Sequence, residues 1–339
     1  MSAPLTAAAR AHANIAFSKY WGKRAYVGNY PAVPSLSLTL DAMTTFTRVT
    51  FASGLARDRL VLGGVEQAGR PVERATALLD RVRAASGVRS FAEVASRNDF
   101  PTASGLASSA SGFAALALAA VRASGLDWDL VRVSDLARQS SASAARSLFG
   151  GFVELPSGPT APPGGVLAAY SLVSAADLDW RLLVVVVGES KKDVSSTDGM
   201  QRTAAESPYY EAWLEVGPRL HDDLRTALLA RDFEHFGAIA ERSALAMHAS
   251  AFAAGVVYLA GATLLVLSAV RALRAQGTAV FATMDAGPHV KVLVRPGEAA
   301  HAASVLRAVP GVSRVLEARG GAGAELIDAD MFDRMVASA

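Results

Sequence analysis

Residues 98–112 read NDFPTASGLASSASG and run directly into FAALALAAV at 113–121. Five serines or threonines and two glycines crowd ahead of a stretch with the composition of a buried helix. The first turn of a helix leaves four backbone N–H groups unpaired and carries about half a positive charge. Small side chains let an anion approach those groups, and hydroxyls add donors. Gly105, Ala107, Ser108, Ser109 and Ala110 suit a phosphate cradle on that physics; they also suit an N-cap followed by close helix packing. The spacing is not GxxxxGK[ST]. It is not a dinucleotide fingerprint either, because the glycines are misplaced and no strand is expected immediately ahead. Both readings give a helix over 108–124 behind a small-residue turn.

The rest of the chain supports a large core. Of 339 residues, 51% are hydrophobic and 19% charged, which is room for two domains and argues against global disorder. Lys plus Arg total 33 and Asp plus Glu 31, so no electrostatic case exists for nucleic acid. The absence of cysteine excludes disulfides, thiolate metal sites and a cysteine nucleophile. MSAPLTAAARAHANIAF lacks the basic start and long apolar core of a signal peptide. Ala249–Val270 carries no charge over a length that spans a bilayer. Gly255, Tyr258, Gly261 and Thr263, followed by SAVRALRAQG, point instead to a buried helix pair. A cytoplasmic protein without membrane contact is the expectation.

Strands and helices alternate. LSLTLDAMTTFTRVTF at 36–51 has the β-branched, period-2 look of strand, and 72–86 repeats apolar residues at helical spacing. WRLLVVVV at 180–187 reads as a central strand buried on both faces. Helical patterns cover 208–230, 232–250 and 258–276. TAVFATMDAGPHVKVLVRP reads as two strands around an Asp-Ala-Gly-Pro turn. A helix near 298–308 and a last strand near 312–317 close the chain. SGPTAPPGG at 157–165 is the densest Pro/Gly cluster, and the domain boundary is placed after it, near 180.

Three further fragments bear chemistry. AHANIAFSKYWGKR at 11–24 sets Lys19, Tyr20, Trp21 and Lys23 beside an apolar strand. SSASAARSLFGG at 140–151 places Ser141, Ser143 and Arg146 on a second small-residue turn. TMDAGPHVKVL at 283–293 leaves Asp285 in an apolar hairpin, where a carboxylate is costly unless paired. Bland readings exist for each: solvated lysines, a structural ion pair, a turn-initiating aspartate. The six histidines show no HExxH spacing, and His12 and His289 read as structural. No GxSxG elbow appears.

Together, NIAxxKYWGKR, FPTAxGLASSAxG, SxSAxRSLFGGFVE and MDAGP, with VSSTDGM at 194–200, resemble the diphosphomevalonate decarboxylases of the GHMP kinase superfamily, over residues 11 to 293. The resemblance implies an α+β, two-domain GHMP kinase fold. Its N-terminal domain (1–180) is like domain 2 of ribosomal protein S5 and carries the phosphate loop; its C-terminal domain (181–339) is ferredoxin-like. It implies ATP and Mg2+, a phosphorylated mevalonate as small-molecule substrate, and a homodimer. The reaction would phosphorylate the 3-hydroxyl and then eliminate that phosphate together with carbon dioxide. By resemblance, Ser104, Gly105, Leu106, Ala107, Ser108 and Ser109 hold the nucleotide phosphates, Ser109 also meeting the magnesium. Asp285 faces the 3-hydroxyl, orienting it and accepting its proton, with Lys19 as its partner. Arg146 and Asn14 hold the substrate carboxylate. Tyr20, Lys23, Ser141 and Ser143 surround the 5-phosphate or diphosphate, and Ser195 and Ser196 hold substrate near the domain interface. The second step calls for a water-poor site; Phe17 and Trp21 are apolar neighbours for such a lining, with core packing the favoured reading of Trp21.

The sequence departs from the family pattern at Val33 and Pro34, where an Asn and a Ser are usual. Ser18 replaces an aliphatic residue, and Ser140 and Ala142 replace glycines. Related enzymes act on mevalonate 5-phosphate or phosphorylate without decarboxylating, and a non-catalytic binding protein is a third class. Carbon dioxide release alongside ADP separates the first class from the second; absence of any ATP turnover marks the third.

Overall fold

The computed structural model describes residues 5–100, 108–159, 165–188 and 194–337; for Ser108, Val336 and Ala337 it describes the backbone alone. The elements run β1 (Leu5–Ser18), β2 (Ser35–Ala52), β3 (Arg59–Leu62), β4 (Val65–Glu66), α1 (Arg70–Ser86), β5 (Phe91–Asn98) and α2 (Ser108–Ala123). Then come α3 (Leu130–Ser140), α4 (Ala142–Arg146), β6 (Phe152–Leu155), β7 (Tyr170–Val173) and β8 (Arg181–Val187). The remainder is α5 (Ser196–Glu206), α6 (Tyr210–Leu229), α7 (Phe233–Ala253), α8 (Gly261–Ala275), β9 (Val280–Met284), β10 (Val290–Val294), α9 (Pro296–Arg307), β11 (Val312–Arg319), β12 (Glu325–Ile327) and α10 (Ala329–Ala337).

Two sheets organise the molecule. The first runs β12-β1-β2-β5-β3-β4, with β6 on the opening residues of β2 and β7 beside β6. Its pairs are antiparallel except β3 with β5. Helix α2 lies on β1 and β2. Ala114, Ala115, Ala117, Ala119 and Ala120 are all fully buried there, so the small side chains of the opening stretch bring helix and sheet close together.

The second sheet has the order β11-β8-β10-β9, all antiparallel. Read in chain order, its strands and the helices between them follow the βαββαβ plan of a ferredoxin-like unit. β8 is interior and almost wholly buried, as its unbroken valine run requires. The sheets share one apolar seam: Phe17 and Phe152 pack with Trp180 and Phe236 at ring separations of 5.0 to 6.2 Å.

Three expectations change. A strand, β5, does precede the serine-rich stretch; its inward residues alternate with half-exposed polar ones, which hides it among helical and loop patterns. The strand near 312–317 does not end the regular structure, because β12 returns to pair with β1 and α10 follows. Three residues of strand are too few to show a period. The turn at 140–146 folds as the short helix α4, which carries Arg146 at its end.

The uncharged stretch at 249–270 is interrupted between α7 and α8, where Gly255 has φ 68°. No helix among the described residues is long and apolar enough to cross a membrane.

Gly151 joins α4 to β6 with φ 71°, and a Cβ there would stand 2.3 Å from the Val173 carbonyl oxygen. Backbone cannot yield as a side-chain tip does. Gly151→Ala is therefore expected to cost at least roughly 2 kcal/mol, read from urea unfolding midpoints.

Candidate active site

The tip of the β9–β10 hairpin carries Asp285, and the end of β1 carries Lys19. They meet across the seam: Lys19 Nζ donates to Asp285 Oδ1 at 2.7 Å and to the Ala16 carbonyl at 2.7 Å. A second lysine, Lys291 of β10, stands 3.0 Å from Asp285 Oδ2. Both lysine side chains are 2% exposed, whereas the carboxylate side chain is 28% exposed. The cluster opens to solvent through its acid.

Burial alone would push the Asp285 carboxyl up; the two ammonium groups override it and hold the acid far below the usual carboxylate range. Lys19 is pushed down to about 8 by burial, with Asp285 opposing and Lys291 and Arg146 adding to the fall. His248 nearby is pushed down to about 4 by burial and by Lys19, and so stays neutral.

Arg146 is 2% exposed. Its Nη1 donates to Ser35 Oγ at 2.7 Å and its Nε to Ser37 Oγ at 2.9 Å and Asn14 Oδ1 at 3.3 Å. The Asn14 amide donates to the Ser143 carbonyl at 2.9 Å and Ser147 Oγ at 2.8 Å. Burial pushes Arg146 down to about 10, with the Asp285 charge opposing, so it remains a cation at neutral pH. Three cations thus face one carboxylate in this neighbourhood. An anionic ligand would restore the balance.

Next to this lies Tyr20, whose buried phenol oxygen has no hydrogen-bond partner among the described residues. Burial pushes the phenol up and keeps it protonated. The Ser141 and Ser143 hydroxyls are 3.2 Å apart. Lys23 is pushed down by burial and then by Arg74 and Arg70, with Asp198 opposing. Arg70 reaches Asp198 at 3.7 Å, while Arg74 donates to the Ser140 carbonyl at 3.0 Å and covers the Phe113 ring. Among the described residues this second cluster is also short of acid.

The expected residues fall into place unevenly. Lys19, Asp285, Arg146, Asn14, Tyr20, Ser141 and Ser143 converge. Ser195 caps α5, accepting from the Asp198 amide at 3.2 Å and donating to its carboxylate at 2.6 Å, and Ser196 begins that helix. Ser104, Gly105, Leu106 and Ala107 lie outside the described residues, as does the Ser108 side chain; Ser109 is exposed on the first turn of α2. Trp21 packs in the core with Met200, Trp213 and Tyr258, in line with its favoured reading, and Phe17 is core rather than cleft lining. Ser18, at the position of an aliphatic residue, is buried, and Val33 is fully buried in the core.

Sequence reasoning missed Lys291, Ser35, Ser37, Arg70 and Arg74. A lysine inside HVKVLV was the available signal for the first. The serines alternating with leucine in PSLSL were the signal for the pair beneath Arg146.

The N-terminal domain model of diphosphomevalonate decarboxylase-like proteins matches residues 11–162. The C-terminal domain model of mevalonate 5-diphosphate decarboxylases matches residues 182–323. A diphosphomevalonate decarboxylase from Candida albicans is 34% identical over 307 residues, covering 85% of this chain and 83% of the relative.

The chain belongs to the diphosphomevalonate decarboxylase family.

The family member from Bos taurus is 35% identical, over 82% of this chain and 74% of its own. Among solved structures, the mevalonate diphosphate decarboxylase from Staphylococcus aureus superposes with a TM-score of 0.89 at 34% identity, covering 95% of this chain and 98% of that one. MDDEF in complex with MVAPP, AMPPCP and magnesium gives 0.89 at 37% identity, covering 96% and 100%. As in that family, the chain has an α+β fold of the GHMP kinase type.

Proposed function

We propose that this chain uses ATP and Mg2+ to phosphorylate mevalonate 5-diphosphate at its 3-hydroxyl and then eliminates that phosphate with carbon dioxide, giving isopentenyl diphosphate. The observation that carries the reading is Asp285 held between Lys19 and Lys291 beside the buried Arg146.

In this reading Asp285 is ionised at neutral pH, accepts a hydrogen bond from the 3-hydroxyl to aim it at the nucleotide, and takes its proton late, as the new P–O bond forms. Its strongly depressed pKa makes it a weak base, so orientation is its main work. Phosphoryl transfer through a loose transition state tolerates that, since positioning and charge neutralisation do most of the catalysis. Lys19 and Lys291 fix the carboxylate from both sides. The exposed Ser109, on the first turn of α2, lies at a helix end suited to phosphates, and the family resemblance gives Ser104, Gly105, Leu106, Ala107 and Ser108 the same phosphate-binding role. Ser109 would help hold a magnesium ion with the nucleotide phosphates, and that ion would supply charge neutralisation for the transferring group. Arg146 and Asn14 hold the substrate carboxylate. When the 3-phosphate departs with its bonding electrons, the carboxyl C–C bond supplies the pair for the new double bond, and carbon dioxide leaves.

Tyr20, Lys23, Ser141 and Ser143 surround the 5-phosphates, and Ser195 and Ser196 help hold the substrate. Among the described residues, Lys23, Arg70 and Arg74 set three cations against Asp198. That surplus favours a diphosphate over a monophosphate. Residues 1–180 and 181–339 are the two domains in this reading, with β12 and α10 returning to the first sheet; the enzyme works in the cytoplasm and, as its family resemblance implies, as a homodimer.

The test is a coupled ADP-release assay with mevalonate, its 5-phosphate and its 5-diphosphate in parallel, with carbon dioxide measured. Equal yields of ADP, phosphate and carbon dioxide are expected from the diphosphate. ADP without carbon dioxide would make the chain a kinase, and turnover of the monophosphate alone would move the substrate.

The pH dependence follows from Lys19. Its ammonium is present below about 8 and is lost above, so kcat/KM is expected to fall as pH rises through about 8. Asp285 stays ionised down to well below its ordinary range and contributes no acid limb near neutrality. A flat profile from pH 7 to beyond Lys19's value of about 8 would remove that ammonium from the rate.

A further inference from the structure

Ser18 immediately precedes Lys19 and is 1% exposed. The pairing of β1 with β2 shifts register between Ala16 and Ser18. At that irregularity the Leu36 N–H donates to Ser18 Oγ at 2.7 Å, while the Ala16 carbonyl accepts from Lys19 Nζ at 2.7 Å. Ser18 Oγ also lies 2.9 Å from His221 Nδ1 of α6. His221 is 2% exposed, and its Nε2 stands 3.5 Å from Glu154 Oε1 of β6. Glu154 further accepts from Tyr170 Oη at 2.7 Å and Arg225 Nε at 3.1 Å.

We propose that Ser18, His221 and Glu154 form a positioning relay that anchors the Lys19 turn to α6 and so sets the aim of the Lys19 ammonium at Asp285. With the imidazole proton on Nε2, every donor points one way: Leu36 N–H to Ser18 Oγ, Ser18 O–H to Nδ1, Nε2–H toward the carboxylate. The row has the order of a serine hydrolase triad, but Ser18 Oγ is shut from solvent and already accepts an amide, so it attacks nothing. Its effect is mechanical. A buried polar chain with each member satisfied selects one geometry, and removing one member leaves another unpaired. Ser18 is one of the positions where this chain departs from the family pattern, and here the departure finds partners in α6 and β6.

The proposal rests on Lys19 acting in the reaction. Steady-state kinetics with ATP and mevalonate 5-diphosphate test it on Ser18→Ala, Ser18→Thr, His221→Phe, the Ser18→Ala/His221→Phe double variant and Glu154→Gln, with Lys19→Met as reference. Ser18→Ala and His221→Phe should each lower kcat by roughly tenfold to a hundredfold, with KM for ATP changed less than about threefold. Ser18→Thr keeps the hydroxyl and should retain most of the rate. The double variant should lose no more than either single one, because both cut the same chain. Wild-type kcat in Ser18→Ala, or additive losses, overturns the relay. If Ser18→Ala fails to fold, Glu154→Gln, of equal size, decides: unchanged kcat there also overturns it. An active Lys19→Met instead removes the role of Lys19 itself; an inactive Lys19→Met beside a fully active Ser18→Ala removes the relay alone.

Discussion

Asp285→Asn is expected to lower kcat by roughly a thousandfold while ATP affinity stays within a few-fold of wild type. The amide keeps the shape of the acid but cannot neutralise the two ammonium groups at 2.7 and 3.0 Å. Because Asp285 is what opposes the fall in the Lys19 pKa, its loss pushes Lys19 down further, and part of the cluster's positive charge is shed as protons. The fold should survive, since the acid sits at a hairpin tip open to solvent. Stopped-flow measurement of phosphoryl transfer, with calorimetry of ATP-analogue binding, checks both halves. Turnover within about threefold of wild type would remove Asp285 from the chemistry.

Arg146→Ala should cost about 3 kcal/mol of transition-state binding, or ~10²-fold in kcat/KM, as expected for truncating a buried, hydrogen-bonded cation that meets a ligand carboxylate. Arg146→Lys should recover little. A single ammonium cannot bridge Ser35, Ser37 and Asn14 while presenting a planar face to a carboxylate. The competing role is a strut between α4 and β2, and it predicts a different result. In that case thermal unfolding shifts sharply and the folded fraction retains normal kinetics. Circular dichroism melts beside the kinetics separate the two.

Much of this arrangement was legible in the chain. The alanines following Ser109, the valine run of β8 and the periodic helices after it declare themselves because burial imposes a period or an unbroken apolar run. Asp285 was legible for the opposite reason: an acid between apolar strands demands a partner, and it has two. Lys291 escaped because one lysine in a short strand reads as an edge residue until its neighbours are known. Arg70 and Arg74 escaped because, on an amphipathic helix, arginines read as a solvated face. β5 and β12 escaped through mixed polarity and brevity. Ser18 was visible as an oddity, but its partners lie 203 residues and one helix away at His221, a pairing no local pattern encodes.

The most direct test is a crystal structure of the protein with mevalonate 5-diphosphate, a non-hydrolysable ATP analogue and magnesium. The substrate 3-hydroxyl should lie within hydrogen-bonding distance of the Asp285 carboxylate, with Lys19 and Lys291 still flanking it and the terminal nucleotide phosphate on the far side of that oxygen. A bound substrate whose hydroxyl points away from Asp285, or whose carboxylate lies far from Arg146, would contradict the account.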